Sequence, residues 1–211
     1  MSGWQFSGPA IFAREVTAWI FGPFLAWMIH GPVVYGAEHL REAEPPFLVC
    51  PNHVSHFDFS TIRLALGSRH RRRLVATAAA DYWQTKRLRS FFSSWVGAMA
   101  FHRDRRAGAE SIKGIEGFLS SGWNVLLFPE GTRSRSGEMA SFKPGIGLIA
   151  ARTGRPVLPV RIVGLHAVLP PGARRPRRAR VEVRFGAPLR IEPGEDPRAF
   201  SARLEAVVRN L

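Results

Sequence analysis

Cysteine is nearly missing from this chain. Cys50 is the only one among 211 residues, which excludes an intrachain disulfide and points to a reducing compartment. Acidic residues are scarce as well: 16 Asp and Glu stand against 30 Lys and Arg, a formal net charge of +14. A surface of that sign is drawn to polyanions, meaning nucleic acid, anionic lipid headgroups or an acidic carrier protein. Lysine is rare within the basic set, at positions 86, 113 and 143 alone. Such an arginine bias can follow gene composition, so charge does not choose among these partners. No run approaches the roughly twenty apolar residues needed to span a bilayer. There is no internal repeat, and no linker is long enough to hold separate domains apart. A secretory signal is not expected, because no Lys or Arg precedes Arg14 and no small-x-small site follows the apolar stretch.

What is present is enough for one domain with a real core. Hydrophobic residues make up 45% of the chain, which excludes wholesale disorder. An apolar stretch without a charge runs from Val16 to Ile29 and holds Trp19, Phe21, Phe24 and Trp27, with Gly22-Pro23 in its middle. Aromatic rings and a proline break suit a segment lying in the headgroup layer; a helix packed on the protein's own core is the competing reading. The expected organisation is a membrane-interface helical segment over residues 1–30 and an enzymatic domain over 31–211.

From Gly31 onward strand and helix patterns alternate. Short strands are predicted at Val33 to Tyr35 and Phe47 to Cys50, and a helix from Ser55 to Leu66 with Gly67 as its stop. Further strands are predicted at 73–77, from Gly97 to His102, and at Val125 to Phe128, Val157 to Val163 and Val181 to Phe185. Helices are predicted at 88–95 and from Glu110 to Ser120. The last helix has Asp196 as its cap, Pro197 in its first turn and a stripe of Phe200, Leu204, Val207 and Leu211. The expected fold class is α/β, a mixed, largely parallel sheet flanked by helices.

Two blocks carry the chemistry. The first, Asn52-His53-Val54-Ser55-His56-Phe57-Asp58, follows a strand directly. A neutral imidazole can accept an alcohol's proton, and a carboxylate on its other nitrogen sets the tautomer. Five residues is not a same-face helical spacing, so His53 and Asp58 meet only if the first sits on the strand-to-helix turn and the second opens the helix. Ser55-x-x-Asp58 also looks like a capping box, in which Asp58 would only start the helix. His53, His56 and Asp58 could alternatively ligate a metal, although the other histidines supply no matching cluster. The second block, Phe128-Pro129-Glu130-Gly131-Thr132-Arg133-Ser134, ends an apolar strand. Pro129 stops the ladder, Gly131 allows a tight turn, and Arg133 offers a fork for phosphate. Arg103 and Lys143 are further candidate cations.

Together these residues resemble the glycerolipid acyltransferase family. Its His-x4-Asp motif preceded by Asn is matched by Asn52, His53 and Asp58, and its Phe-Pro-Glu-Gly-Thr-Arg-Ser motif by Phe128 to Ser134. Gly97 to Arg103 and Val157-Leu158-Pro159-Val160 match its two weaker motifs in order and spacing. The resemblance implies transfer of a fatty acyl group from acyl-CoA or acyl carrier protein to a lysophospholipid hydroxyl. The acceptor it implies is 1-acylglycerol-3-phosphate, giving phosphatidic acid; another headgroup, or a phospholipid transacylase, is the alternative. His53 would be the general base and Asp58 its orienting partner, with no acyl-enzyme. Arg103, Glu130, Gly131, Thr132 and Arg133, with Lys143, would hold the acceptor. No metal or cofactor is implied beyond the acyl donor. His102, where the family usually has an acid, and Ala78 to Trp83 depart from the family pattern and bear on the acceptor.

These readings place the protein on an anionic membrane surface, peripheral or monotopic at its cytoplasmic face. Arg174, Arg175, Arg177, Arg178 and Arg180 could contact headgroups, at about 1 kcal/mol per cation, or form a solvated tip. A nucleic-acid binder is not expected, because residues 170–180 interleave no aromatic with the arginines.

Overall fold

The computed structural model describes residues 6–79, 98–101, 105–169, 173 and 175–211. Among them, seven strands make one sheet: β1 (Val33–Tyr35), β2 (Leu48–Pro51), β3 (Leu74–Ala79), β4 (Ala98–Phe101), β5 (Asn124–Leu126), β6 (Val157–Val163) and β7 (Glu182–Phe185). Their order is β1-β7-β6-β2-β5-β3-β4. Each neighbouring pair is parallel except β6 with β7, so the sheet is mixed and largely parallel. The helices are α1 (Gly8–Met28), α2 (His39–Glu42), α3 (Asp58–Arg71), α4 (Arg105–Ser120), α5 (Gly145–Thr153), α6 (Leu165–Val168) and α7 (Pro197–Asn210). The helix expected over 88–95 lies outside the described residues.

Every residue of β2 is buried, as a strand covered on both faces must be. Successive side chains divide between two cores. Val49, Leu126, Leu158 and Val160 face Met28, Ile29 and the α3 residues Ile62 and Leu66. Leu48, Cys50, Val125 and Val157 face α4, α5 and α7 through Ile115, Ile149 and Phe200. α7 begins as its sequence predicts, with Asp196 accepting from the N–H groups of Arg198 and Ala199. Its buried stripe is Phe200, Leu204 and Val208, each fully covered; Val207 is only half-buried. At about 1.5–3 kcal/mol per buried side chain, that stripe outweighs any surface pairing on the same helix.

α5 and α7 touch at Gly147, whose N–H donates to Ser201 Oγ at 3.1 Å. A Cβ there would lie 1.8 Å from the Pro197 carbonyl oxygen, which backbone cannot yield cheaply. Gly147→Ala is therefore expected to destabilise the protein by about 1–3 kcal/mol through overpacking, read as a lower denaturant midpoint with an unchanged slope.

Two elements differ from expectation. α3 starts at Asp58 rather than Ser55, and helical structure resumes beyond Gly67 to Arg71 although Gly67 itself is left-handed, at φ 68°. α1 runs through Pro23, where the proline removes one helical bond but tertiary anchoring holds both halves. Ala10, Arg14 and Met28 are buried along its inner side, and Glu15 pairs with Arg63 and Arg71 of α3. The outer side is left bare, with Phe12, Trp19, Ile20, Phe24 and Trp27 all exposed.

Candidate active site

β2 delivers its last residues to the sheet's carboxyl end, where open α/β sheets commonly place their ligands. There the Asn52 side chain continues the ladder after the backbone has turned away. Its Nδ2 donates to the Ile162 carbonyl at 3.0 Å, and its Oδ1 accepts from the Ile162 N–H at 2.7 Å. Both groups are buried, and the next residue is thereby tied to β6.

That residue, His53, is held on every side but one. Its backbone N–H donates to Glu130 Oε1 at 2.6 Å, and its carbonyl accepts from the Ser134 N–H at 2.8 Å. Its ring stacks on Phe128, centroids 3.9 Å apart and planes 20° apart. Nδ1 lies 2.6 Å from Asp58 Oδ2. The same oxygen accepts from the N–H groups of Val54 and Ser55 at 2.8 and 2.9 Å. An oxygen taking two backbone donors is an acceptor, so Nδ1 carries the proton and Nε2 keeps its lone pair. Asp58 is fully buried and the His53 side chain is 25% exposed. His53 sits on the strand-to-helix turn and Asp58 is the first residue of α3, the one placement that lets a five-residue spacing close.

The capping box is only half formed. Asp58 reaches back to the Ser55 N–H, but Ser55 Oγ accepts from the Phe57 N–H at 3.3 Å instead of closing on Asp58. Orienting His53 and receiving the loop's N–H groups are thus done by one carboxylate oxygen. Among the described residues no set of three His, Cys, Asp or Glu side chains is arranged as metal ligands.

The second block closes over the first. β5 continues through Leu127, whose N–H donates to the Val49 carbonyl. The chain then turns, with the Gly131 N–H donating to the Phe128 carbonyl at 3.0 Å. Gly131 has φ 74°, and a Cβ on it would lie 2.8 Å from Lys143 Nζ. The positive φ is what calls for glycine, since the flexible end of Lys143 could move aside. The contact also brings the Lys143 side chain over the turn. Thr132 is exposed, and Arg133 is half-buried with no hydrogen-bond or carboxylate partner among the described residues. Arg103 lies outside the described residues, as does His102.

Glu130 does not face the open side as expected of an acceptor ligand. It is buried, and its two oxygens are taken by the backbone N–H groups of His53 and, at 2.8 Å, Ala140. Its local role is to join the two blocks. Burial pushes its carboxyl above the ordinary range, and the bonds from Ala140 and His53 hold it part of the way back. The folded chain therefore keeps this proton to higher pH than the unfolded chain, and stability from the protonated group is lost as pH rises through the raised value. Glu130→Gln cannot titrate. The stability of wild type relative to that variant is expected to decline from about pH 4 upward through the window, measured as denaturant midpoints across pH. A wild-type stability that instead rises with pH relative to the variant would mean the two backbone bonds dominate burial.

Phe128 and Asn52 had no assigned role in the site from sequence. Phe128 reads there as the end of a core strand, and only its position beside Pro129 hints that it leaves the core.

Comparison with known proteins extends this picture. A chloroplastic 1-acyl-sn-glycerol-3-phosphate acyltransferase of Brassica napus is 30% identical over 144 residues, 66% of this chain and 39% of that protein. One from Arabidopsis thaliana is 30% identical over the same length, 66% of this chain and 38% of its own. The chain spans about two fifths of the length of these relatives. The crystal structure of the 1-acyl-sn-glycerophosphate acyltransferase PlsC from Thermotoga maritima superposes with a TM-score of 0.72 at 23% identity, covering 95% of this chain and 77% of that one. That likeness concerns the fold. The acyltransferase family profile matches residues 31–163, a stretch that contains both blocks and the six strands β1 to β6, and this chain belongs to the acyltransferase family.

Proposed function

We propose that this protein is a 1-acylglycerol-3-phosphate O-acyltransferase working at a membrane surface. The observation that carries the reading is His53: immobilised through backbone, ring face and Nδ1, it has only Nε2 left for a substrate, beside a turn that bears Arg133 and is overlain by the Lys143 side chain. Its curated relatives carry that activity in their names.

The reaction follows from these groups. The acceptor's phosphate binds the Arg133 and Lys143 cations through charge-assisted hydrogen bonds, each about 1.5–3 kcal/mol, with Thr132 at hand for a glycerol oxygen. Arg103 is assigned to the same anion site by its place in the family motif. The acceptor hydroxyl then lies against His53 Nε2, which removes its proton as the oxygen attacks the thioester carbonyl. The tetrahedral intermediate collapses, the C–S bond breaks, and the imidazolium returns its proton to the departing thiolate. Asp58 stabilises the imidazolium without taking the proton. No acyl-enzyme is needed. Cys50 is fully buried and burial drives its thiol pKa far upward, so it is no nucleophile.

The donor is acyl-CoA or acyl carrier protein, and the location is peripheral at the cytoplasmic face. The exposed aromatic face of α1 supports membrane contact. Arg178 lies over the Trp27 ring at 4.7 Å, which joins the basic loop to that face. No helix among the described residues is long and apolar enough to cross a membrane.

The test is an acceptor panel with purified protein and a long-chain acyl-CoA. Lysophosphatidic acid should be acylated and monoacylglycerol should not. Arg133→Ala should raise KM for lysophosphatidic acid by about 10–100-fold, the loss of one charged contact. Equal use of monoacylglycerol or lysophosphatidylcholine, or an Arg133→Ala effect shared by uncharged acceptors, would overturn the assignment.

A further inference from the structure

A half-open groove of about 310 Å³ runs between α1 and α3, a volume at the lower end of ligand pockets, about 300–1,000 Å³. Its two ends differ in chemistry. Phe24, Leu25 and Met28 of α1 face Phe57 and Phe59 at the end near the start of α3, while Arg14, Arg63 and Arg71 line the other. Glu15 is the carboxylate among them, 3.1 Å from Arg63 and 2.9 Å from Arg71. Among the described residues, Arg63 and Arg71 therefore share one carboxylate. Burial pushes Arg63 down to about 10, Glu15 draws it back in part, and Arg14 and Arg71 push with burial. Arg63 thus stays charged at neutral pH, with positive charge crowded against an apolar channel.

Such a groove fits an amphiphile with an anionic head and an apolar chain. The rim shows where it would come from. Phe24 both lines the groove and belongs to the exposed aromatic face of α1, its ring stacked on Trp27 at 6.1 Å. Pro176 of the basic loop closes one side. The groove opens onto the surface that carries the membrane-facing aromatics.

We propose that this groove seats one anionic phospholipid, its phosphate on Arg63, Arg71 and Arg14 and one acyl chain lying along α3 towards Phe57. The seat is separate from the Arg133 and Lys143 site: Arg63 lies five residues into α3 past Asp58, about 8 Å along the axis, and Arg71 lies further. It deepens the membrane reading above from surface attraction to a lipid held in a defined place, and does not rest on acyl transfer.

Lipid retention and vesicle binding test the seat and the membrane reading independently. In neutral detergent micelles, native mass spectrometry should show the full-length protein retaining one phosphatidylglycerol, with phosphatidylcholine at least about tenfold weaker. The Arg63→Gln/Arg71→Gln variant should lose that preference, and Arg133→Ala and the loop variant Arg177→Gln/Arg178→Gln should keep it. Gly22→Leu covers a charge variant that fails to fold. It retains every arginine, improves helix propensity, and pushes into the groove where a Cβ would sit 3.3 Å from Leu64 Cδ2, so it should retain no lipid. Equal retention of phosphatidylcholine, retention by Gly22→Leu, or loss of the lipid in Arg133→Ala would overturn the seat. Co-sedimentation with phosphatidylglycerol vesicles tests the membrane reading separately; vesicle binding without retained lipid would leave that reading standing and remove the seat.

Discussion

His53→Ala is expected to slow acyl transfer to lysophosphatidic acid by about 10²–10⁴-fold, the usual share of a positioned general base, while the fold survives. Among the described residues of the two blocks, His53 Nε2 is the proton acceptor on a partly exposed side chain: Asp58 Oδ2 is occupied by three donors, its Oδ1 is buried away from the open side, and both oxygens of Glu130 are used by backbone. Neither carboxylate can substitute. The fold survives because alanine leaves the His53 N–H and carbonyl bonds to Glu130 and Ser134 in place, and Asp58 retains two N–H donors. Stability should change by about 1 kcal/mol. Initial rates of phosphatidic acid formation and a denaturant titration check both halves. A rate within tenfold of wild type would mean another group removes the proton.

Asp58→Asn separates two things that carboxylate does. Asparagine can turn its carbonyl to the Oδ2 position and still accept from His53 Nδ1, Val54 and Ser55, so the tautomer is kept. Its amide nitrogen then replaces Oδ1, which is buried without a hydrogen-bond partner among the described residues, and the negative charge is gone. An imidazolium formed during transfer loses its counter-charge in a buried setting. The expected result is a loss of about 10²–10⁴-fold in kcat, with KM for the acceptor nearly unchanged because Asp58 does not reach it. Stability should fall by about 1–3 kcal/mol, from a buried unpaired amide and a weakened helix start. A change in KM alone would show that Asp58 acts on binding.

The two variants also mark how much of the site was legible in residues alone. A histidine and an aspartate five apart could be paired on paper because a strand ending at Pro51 and a helix starting near Asp58 leave one geometry that closes. The second block could be read as a turn because Pro129 and Gly131 are local conformational signals. Glu130 could not be read correctly. Its burial and its two backbone partners depend on residues 77 positions earlier and 10 later, and nothing in its neighbourhood distinguishes a carboxylate turned inward from one facing substrate. Phe128 escaped notice for the same reason, since stacking on His53 needs β5 beside β2 in register.

Longer-range departures have similar causes. Gly22-Pro23 reads as a break, yet α1 continues because Glu15 and the buried inner residues anchor it to α3. The stripe of α7 includes Val208 in place of Val207 because α5 and β6 set which side of the helix faces inward, a choice that 3.6-residue periodicity leaves open by about one position.

Local order, turn chemistry and the pairing of His53 with Asp58 lay in the chain itself, because each depends on residues a few positions apart whose backbone preferences agree. Tertiary structure alone decided that Glu130 supports the site from behind, that α1 is covered on one side and bare on the other, and that arginines from two helices meet at the end of an apolar groove. These outcomes depend on which distant surfaces are brought together, and sequence spacing carries no record of that.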